Sequence, residues 1–371
     1  MQKAVRALLL STALLVAGAG AARAETPDVV VSIKPIHSLV AAIMQGVGEP
    51  GLIVEGAASP HTYSLKPSNA AALQNADVVF WVGHGLEAFL EKPLKSLGGK
   101  ATVVELDDAP GLEKLPFREG GPFEAHTHEG EGHDHAHEGH AHEGEEGHAH
   151  DHEKEGHDHG KEAHAHGEEA HNHDHGKEPE GHDHAHGEEA AHEGHEHGEF
   201  DMHLWLSPQN ARAIAAEAAK VLAEKDPANA ETYKKNLAGL EAKLDALDKE
   251  VAETVAPVKD KPFIVFHDAY QYFEHHYGMH AAGSITVSPE TLPGAERLTQ
   301  IRDKVKTLGA TCVFAEPQFE PKLVNVVIEG TPAKSGVLDP EAATLEPGPD
   351  LYFTLMKSIA TSLRDCLGQA S

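Results

Sequence analysis

Over roughly the first hundred residues, short β-branched runs alternate with stretches of helical periodicity. Residues 29–33 (VVVSI) predict a strand, and Ile36, Leu39, Val40 and Ile43 lie on one face of a helix predicted over 36–45. A second strand is predicted at 51–54, followed by a polar turn and a helix near 69–74. A third strand falls at 78–82, a helix at 86–97 and a fourth strand at 102–106. This alternation predicts a mostly parallel sheet with helices on both faces. The pattern breaks at Glu124 and resumes at Phe200, which is expected to begin another strand. Ser207-Pro208 then reads as a helix start, with Ser as cap and Pro in the first turn. That helix carries Ile214, Ala218, Val221 and Leu222 inward.

Asp226-Pro227 is expected to open the longest helix, over residues 226–257. Its apolar positions Tyr233, Leu237, Leu240, Leu244, Leu247, Val251 and Val255 form one stripe spaced by threes and fours. A helix of about thirty residues is roughly 45 Å long, enough to run along two lobes. A second α/β series follows, with strands at 263–266, 312–315 and 336–338, and helices at 270–277, 295–308, 321–329 and 351–366. The predicted fold class is therefore α/β, two lobes joined by one long rigid helix. The first lobe covers 25–225, the linker helix 226–257 and the second lobe 258–371. Helix bending would break its own hydrogen bonds, so only small hinge motions are expected.

The break in the pattern, residues 124–199, is an insertion of a different kind, opening with runs such as EGHDHAHEGH. It holds 23 of the 31 histidines, and 24 acidic residues against three lysines. With almost no apolar residue beyond alanine, burial cannot offset conformational entropy, and disorder is expected. A charged solubility linker would account for the acids but not for histidine at every second or third position. Neutral imidazole binds Zn²⁺, Ni²⁺ or Cu²⁺, so many weak, interchangeable, acid-labile sites are expected here. The net charge of −30 is concentrated in this tract. No basic patch stands out, which argues against a nucleic-acid partner.

The first residues have the form of an export signal, residues 1–24. Lys3 and Arg6 give a positive start, 7–17 are apolar, and Ala22-Arg23-Ala24 supplies a cleavage site. The apolar run is short for a membrane span, and no lipidation cysteine follows it. A soluble, monomeric periplasmic protein starting near Glu25 is expected. In an exported chain the two cysteines, Cys312 and Cys366, read as a disulfide. Its loop would be worth roughly 4 kcal/mol in the chain-entropy account. Two buried thiols that never meet remain the alternative.

Eight histidines lie outside the tract. His61 follows a strand in GAASPHTYSLKPS, His203 precedes a helix start in FDMHLWLSP, and His267 closes the strand FIVF in FIVFHDAYQYF. All three sit at or near strand exits, where open α/β sheets place their ligands. Two belong to the first lobe and one to the second, so the cleft between lobes is where they could meet. His37, His84, His275, His276 and His280 are read as structural or surface residues.

At these residues the chain resembles a known family. SPHTYSLKPS, WVGHGLEAFLEKPL, DMHLWLSPQNA, FIVFHDAYQYF and CVFAEPQF, in this order, are similar to segments of the metal-binding solute-binding proteins of ABC importers. More narrowly, they resemble the periplasmic receptors of high-affinity zinc uptake systems, with the tract matching the histidine-rich insertion of that branch. The resemblance implies the lobe–helix–lobe fold, Zn²⁺ as the transported ligand in the cleft, and ligand roles for His61, His203 and His267. It also implies the Cys312–Cys366 disulfide, and an inner-membrane ABC permease with a cytoplasmic ATPase as partners. Three imidazoles suit tetrahedral Zn²⁺, while a site richer in carboxylate suits Mn²⁺. Some relatives place Glu just before the first ligand histidine, where this chain has Pro60; Asp339 in GVLDP or a water is left for the fourth position.

Rival readings rest on weaker signals. GHGLEA at 83–88, with Glu105 some twenty residues on, mimics a dinucleotide fingerprint. A zinc hydrolase would need a carboxylate base, for which Asp268 or Glu316 could be nominated. No HExxH or GxSxG element is present, and no enzyme is expected. A periplasmic zinc buffer or chaperone without a transporter, or a receptor for another divalent metal such as manganese, completes the alternatives. If the tract and the cleft have separate roles, deleting residues 124–199 should leave one tight zinc site by calorimetric titration and remove the weak ones. Loss of the tight site would overturn the assignment of His61, His203 and His267.

Overall fold

The protein is described by a computed structural model, which covers residues 26–118, 123, 200–286, 289, 292–309 and 311–369. The expected export signal and the histidine-rich insertion lie outside these residues. The first part contains β1 (Val29–Val31), α1 (Lys34–Ile43), β2 (Gly51–Leu52), α2 (Pro67–Asn75), β3 (Val78–Trp81), α3 (Ala88–Leu97) and β4 (Thr102–Glu105). Its sheet is parallel throughout, in the order β2-β1-β3-β4. After residue 200 come α4 (Pro208–Lys225) and α5 (Ala230–Val255). The second lobe contains β5 (Phe263–His267), α6 (Gln271–Tyr277), β6 (Ala281–Thr286), α7 (Ala295–Leu308), β7 (Cys312–Ala315), α8 (Lys322–Ile328), β8 (Lys334–Val337) and α9 (Leu351–Gln369). Its sheet, β6-β5-β7-β8, is again all parallel and repeats the strand order of the first. In both sheets the chain leaves the first strand to one side and returns on the other. The crevice beyond the carboxyl ends of those strands is where such sheets bind ligands.

Ser207 caps α4 by accepting a hydrogen bond from the Asn210 amide at 3.4 Å, and Pro208 occupies the first turn, as the sequence predicts. The long helix begins later than expected. Asp226 is not its cap; the Asp226 carboxylate accepts from Asn229 at 2.7 Å and from the Tyr233 hydroxyl at 2.9 Å. These bonds close a separate turn, and α5 starts at Ala230. Its 26 residues span about 39 Å. Tyr233, Leu240, Leu244, Leu247, Val251 and Val255 of the stripe are buried.

Two further expectations change. Phe200 makes a single antiparallel bridge to Pro116 and begins no strand. The next residue, Asp201, gives its carbonyl to the Tyr272 hydroxyl at 2.7 Å and its carboxylate to His203, so the ladder stops. The sequence also gives no sign of β6, whose residues AAGSIT are small and largely buried. With no alternation, and its β-branched residues Ile285 and Thr286 only at the end, such a strand leaves little periodic trace.

The lobes are connected by more than α5. A continuous apolar core runs from the first sheet through α1, α4, α5 and α9 to the inner face of the second sheet. A smaller cluster fills the outer face, from Ile264 and Phe266 to Ile301, Val305, Val324 and Val327. Helix α9 returns against both α5 and α1. There the Tyr352 amide donates to Ser38 Oγ at 3.0 Å and the Tyr352 hydroxyl to the Trp205 carbonyl at 2.8 Å. Cys366 of α9 is disulfide-bonded to Cys312 of β7, which fastens that helix to the second sheet.

Because the α5 stripe carries this shared core, Leu244→Ala should destabilise the whole protein by about 2–5 kcal/mol. Urea unfolding should show one cooperative transition shifted to lower midpoint. Loss confined to one lobe would contradict a shared core.

Candidate metal centre

Each candidate histidine is placed by a local constraint. His61 lies in a short 3-10 turn, Pro60–Thr62, in the loop after β2, with its amide near Ser59 Oγ at 3.4 Å. Two residues on, the Tyr63 hydroxyl anchors this loop by donating to the Ile53 carbonyl at 2.9 Å. His203 precedes the 3-10 turn Leu204–Leu206. Asp201 Oδ1 accepts from both the His203 amide, at 3.0 Å, and His203 Nδ1, at 2.7 Å. His267 is the last residue of β5, a strand buried along its whole length. Its amide donates to Glu316 Oε1 at 3.2 Å, and its Nδ1 lies 2.7 and 2.8 Å from the two Glu316 oxygens. Glu316 itself stands at the end of β7, the neighbouring strand.

The structure brings all three rings together. His203 Nε2 lies 3.3 Å from His61 Nε2 and 3.2 Å from His267 Nε2. Ring centroids are 5.1 to 5.5 Å apart. With Nδ1–H of His203 and His267 donating to carboxylates, Nε2 of each is left as a lone pair. These nitrogens therefore cannot hydrogen-bond to one another while both rings are neutral. They present donor atoms to a common point. A tetrahedral ion with metal–nitrogen bonds of about 2.0–2.1 Å requires nitrogens roughly 3.3 Å apart, which is the spacing seen here.

The protonation preferences of these rings differ. His61 is driven well below the usual imidazole range, first by burial and then by His203 and His267 beside it. At His267 burial pushes the same way, but the Glu316 carboxylate, through its charge and its hydrogen bond, outweighs it and raises the pKa. Each ring thus has a reason either to stay neutral or to be held with Nε2 facing inward.

The neighbouring carboxylates take separate roles. Asp201 and Glu316 orient ligand rings. Asp268, beside His267, is bound by Arg118, whose guanidinium also grips Glu274 at 2.8 and 2.9 Å. Asp339 is occupied within its own loop, accepting from Gln318 at 3.1 Å and from the Glu341 and Thr344 amides at 3.3 Å each. It is not among the groups whose donor atoms converge. The carboxylate nearest the imidazoles on this side is Glu341, whose Oε1 is 3.9 Å from His61 Nε2. Asp201, two residues before His203 in FDMHLWLSP, carries a local sequence signal. Glu341 carries no comparable mark.

Other histidines lie in ordinary settings. His37 Nε2 is 2.9 Å from the Pro50 carbonyl, His276 is 2.8 Å from Asp248, and His275 is 3.4 Å from Glu113. The dinucleotide-like segment also has its amides occupied. Val82 and Gly83 donate to Glu87, and His84 donates to Glu105. Gly83 has φ +153°, and a Cβ there would meet Asp107 and Glu105 at 3.0–3.1 Å. Carboxylates fill the space a phosphate would need.

Comparison with known proteins places the chain in a family. A family model described as zinc-uptake complex component A, periplasmic, matches residues 29–366. The high-affinity zinc uptake system protein ZnuA of Brucella suis is 55% identical over 368 residues, 99% of this chain and 100% of the relative. The protein of the same name from Haemophilus influenzae is 38% identical over the whole of both chains, and that of Yersinia pestis 34% over 98% of each. Among solved structures, a crystal structure of ZnuA aligns with a TM-score of 0.64 at 24% identity, covering 92% of this chain and 99% of that one. The periplasmic zinc-binding protein TroA from Treponema pallidum aligns at 0.66 with 17% identity, covering 92% and 99%. These two likenesses speak for the two-lobed fold alone. Together with the family match along nearly the whole of the described fold, the full-length relatives show that this chain belongs to the periplasmic component A family of zinc-uptake complexes.

Proposed function

We propose that the protein captures one Zn²⁺ between its lobes on His61, His203 and His267, and delivers it to an inner-membrane ABC permease driven by a cytoplasmic ATPase. The observation that carries this reading is the convergence of three Nε2 atoms at the spacing of a tetrahedral ion. Zn²⁺ is the cargo, and the chain's own groups determine how it is held. Asp201 and Glu316 fix the tautomer and orientation of two rings, and their charges partly neutralise the arriving cation. Neutral nitrogen donors favour zinc over manganese, which prefers oxygen.

His61 and His203 precede α5 in the chain and His267 follows it, so a bound ion crosslinks the two lobes. Capture and lobe closure are then one event. Release requires only that His267 separate from the other two, a small movement compatible with the continuous core around α5 and α9. Docking on the permease can supply it. An export signal cleaved near Glu25 fits the periplasmic family, and delivery from a monomer is the simplest arrangement.

Replacement of His61, His203 or His267 by alanine should weaken the tight site by at least about a hundredfold, the upper end of what a supporting carboxylate is worth. Glu316→Gln and Asp201→Asn should cost about 10–100-fold each. Chelator-competition titration measures both series, and a tight site unaffected by all three alanine variants would overturn the reading.

Zinc affinity should also fall on acidification, because protons compete for Nε2. The raised pKa of His267 means this loss begins above the ordinary imidazole value of about 6.5. His61, with its lowered pKa, is protonated after His267. Affinity measured between pH 8 and 5 should fall by no more than tenfold per pH unit where His267 alone titrates. An affinity independent of pH would exclude these imidazoles as ligands.

A further inference from the structure

Beyond β4 the chain forms a strap that belongs to both lobes. It is pinned to α4 of the first lobe, where the Glu113 amide donates to Asn210 Oδ1 at 2.8 Å and Asn210 Nδ2 donates to the Glu113 carbonyl at 3.0 Å. It then runs onto α6 of the second lobe. The Leu115 amide donates to the Tyr272 hydroxyl at 3.0 Å, and Gln271 Nε2 donates to the Pro116 carbonyl at 2.9 Å. At the end of this run Arg118 grips two acids at once. Its Nε and Nη2 donate to the two oxygens of Asp268, and its Nη1 and Nη2 to those of Glu274 at 2.8 and 2.9 Å. The Phe123 ring covers the guanidinium, its centroid 4.2 Å from Cζ.

Resting on the three-histidine reading above, we infer that Arg118 is a positioning residue that latches the two lobes together. Closed on Asp268 and Glu274, it holds His267 against His61 and His203; parted from them, it lets the ion in or out. Asp268 directly follows His267 in the chain. The strap also meets the first-lobe ligand His203. The Asp201 amide donates to the Leu115 carbonyl at 2.9 Å, and the Tyr272 hydroxyl donates to the Asp201 carbonyl at 2.7 Å. The carboxylate of the same Asp201 orients His203. The strap therefore touches a near neighbour in sequence of one ligand from each lobe.

The chemistry of the grip suits a latch. The side chains of Asp268 and Glu274 are 4% and 5% exposed, and that of Arg118 is 22% exposed. A single planar fork meets each carboxylate through two hydrogen bonds and supplies the positive charge between them. Removing that charge while the lobes stay closed would leave two buried acids facing each other, which is costly. Parting the lobes instead delivers all three groups to water together, so the latch opens as a unit. Glu274 Oε2 also accepts from the Ala281 amide at 2.7 Å, which ties the gripped end of α6 to β6. The hold of Arg118 is thereby passed to the second sheet as well as to the residue beside His267.

Access to the imidazoles calls for such a contact. His203 is 5% and His267 1% exposed, so an ion reaches or leaves their Nε2 atoms only as the lobes part. The core around α1, α5 and α9 is apolar and continuous, and opening it would expose that surface to water. The strap holds α6 by hydrogen bonds and ion pairs, which water can replace once they separate. Motion between the lobes therefore pivots on the core and opens at Arg118.

The test uses the mature full-length protein with half an equivalent of Zn²⁺, so that the tight site fills before any weaker one. A stopped-flow chase with excess chelator gives the release rate, and chelator competition gives the affinity. Arg118→Gln should release zinc at least about tenfold faster, a floor set by what losing one partner of a buried charge pair costs. Its affinity should fall by a smaller factor, because an unlatched cleft also captures zinc faster. Arg118→Lys keeps the charge without the fork and should fall between wild type and Arg118→Gln. Glu274→Gln should speed release in the wild type and add much less on top of Arg118→Gln, as members of one contact do. Circular dichroism checks that each variant folds; if Arg118→Gln does not, Arg118→Lys and Glu274→Gln carry the test. Release at the wild-type rate from the folded variants would overturn the inference. So would an affinity loss as large as the gain in release rate, which would mark a displaced His267 rather than an opened latch. If the tight site also survives alanine at each of the three histidines, the reading beneath falls too; if those variants lose it while release from Arg118→Gln is unchanged, the latch alone falls.

Discussion

Three imidazole nitrogens facing one another, with two of the rings hydrogen-bonded to carboxylates through Nδ1, are an arrangement that neutral histidines do not favour by themselves. The lone pairs of His203 and His267, held 3.2 Å apart, repel while both rings are neutral, and these rings are kept from turning away by Asp201 and Glu316. On the proposed function, a cation placed between the nitrogens would convert that repulsion into three bonds. Everything else in the fold serves to keep those nitrogens in place: the strand ending at His267, the tight turns at His61 and His203, and the carboxylates behind them.

Burial magnifies each charge in this region. In water, the carboxylates around the centre would be screened and their field weak. Within the protein, burial first and then the charges of Glu316, Asp339 and Glu87 raise the pKa of Glu341. A divalent ion entering between the lobes, as proposed, would be attracted by that field as well as by the nitrogens. Buried acids are expensive to keep, and Lys34 and Trp205 show one way of maintaining them. They spend their donors on backbone carbonyls of the loop around Glu341, which fixes the loop without neutralising the carboxylate it carries. The ion's site is thus built from groups that are individually unfavourable and jointly suited to one kind of ligand.

The tie between lobes follows from the same economy of contacts. The three proposed ligands straddle α5, so a freely hinged molecule would lose most of its binding energy in bringing them together. A continuous core and the return of α9 against α1 and α5 restrict the hinge. Arg118, close to the end of the first stretch of described residues, reaches across to Asp268 and Glu274 beside His267 and α6. The restriction makes the site nearly preformed. It also means that a modest displacement of the second lobe is enough to remove one ligand of three.

Much of this was legible in the chain. The alternation of short apolar strands with helical stripes determined the α/β class, because a buried parallel strand and an amphipathic helix each leave a periodic trace. His61, His203 and His267 could be picked out because His61 follows a strand, His203 precedes a helix start and His267 closes an apolar strand. The long helix was evident from Tyr233 to Val255, though Asp226 turned out to close a turn of its own before it. Strand β6 was not legible, since AAGSIT buries small side chains without alternation. What only the tertiary structure decided was which groups meet: that Glu316 lies behind His267 and Asp201 behind His203, that Asp339 is committed to its own loop, and that Glu341 stands by His61. Periodicity reports which face of an element is buried, whereas a coordination shell depends on side chains brought from distant elements to within a few ångströms, and no local pattern records that distance.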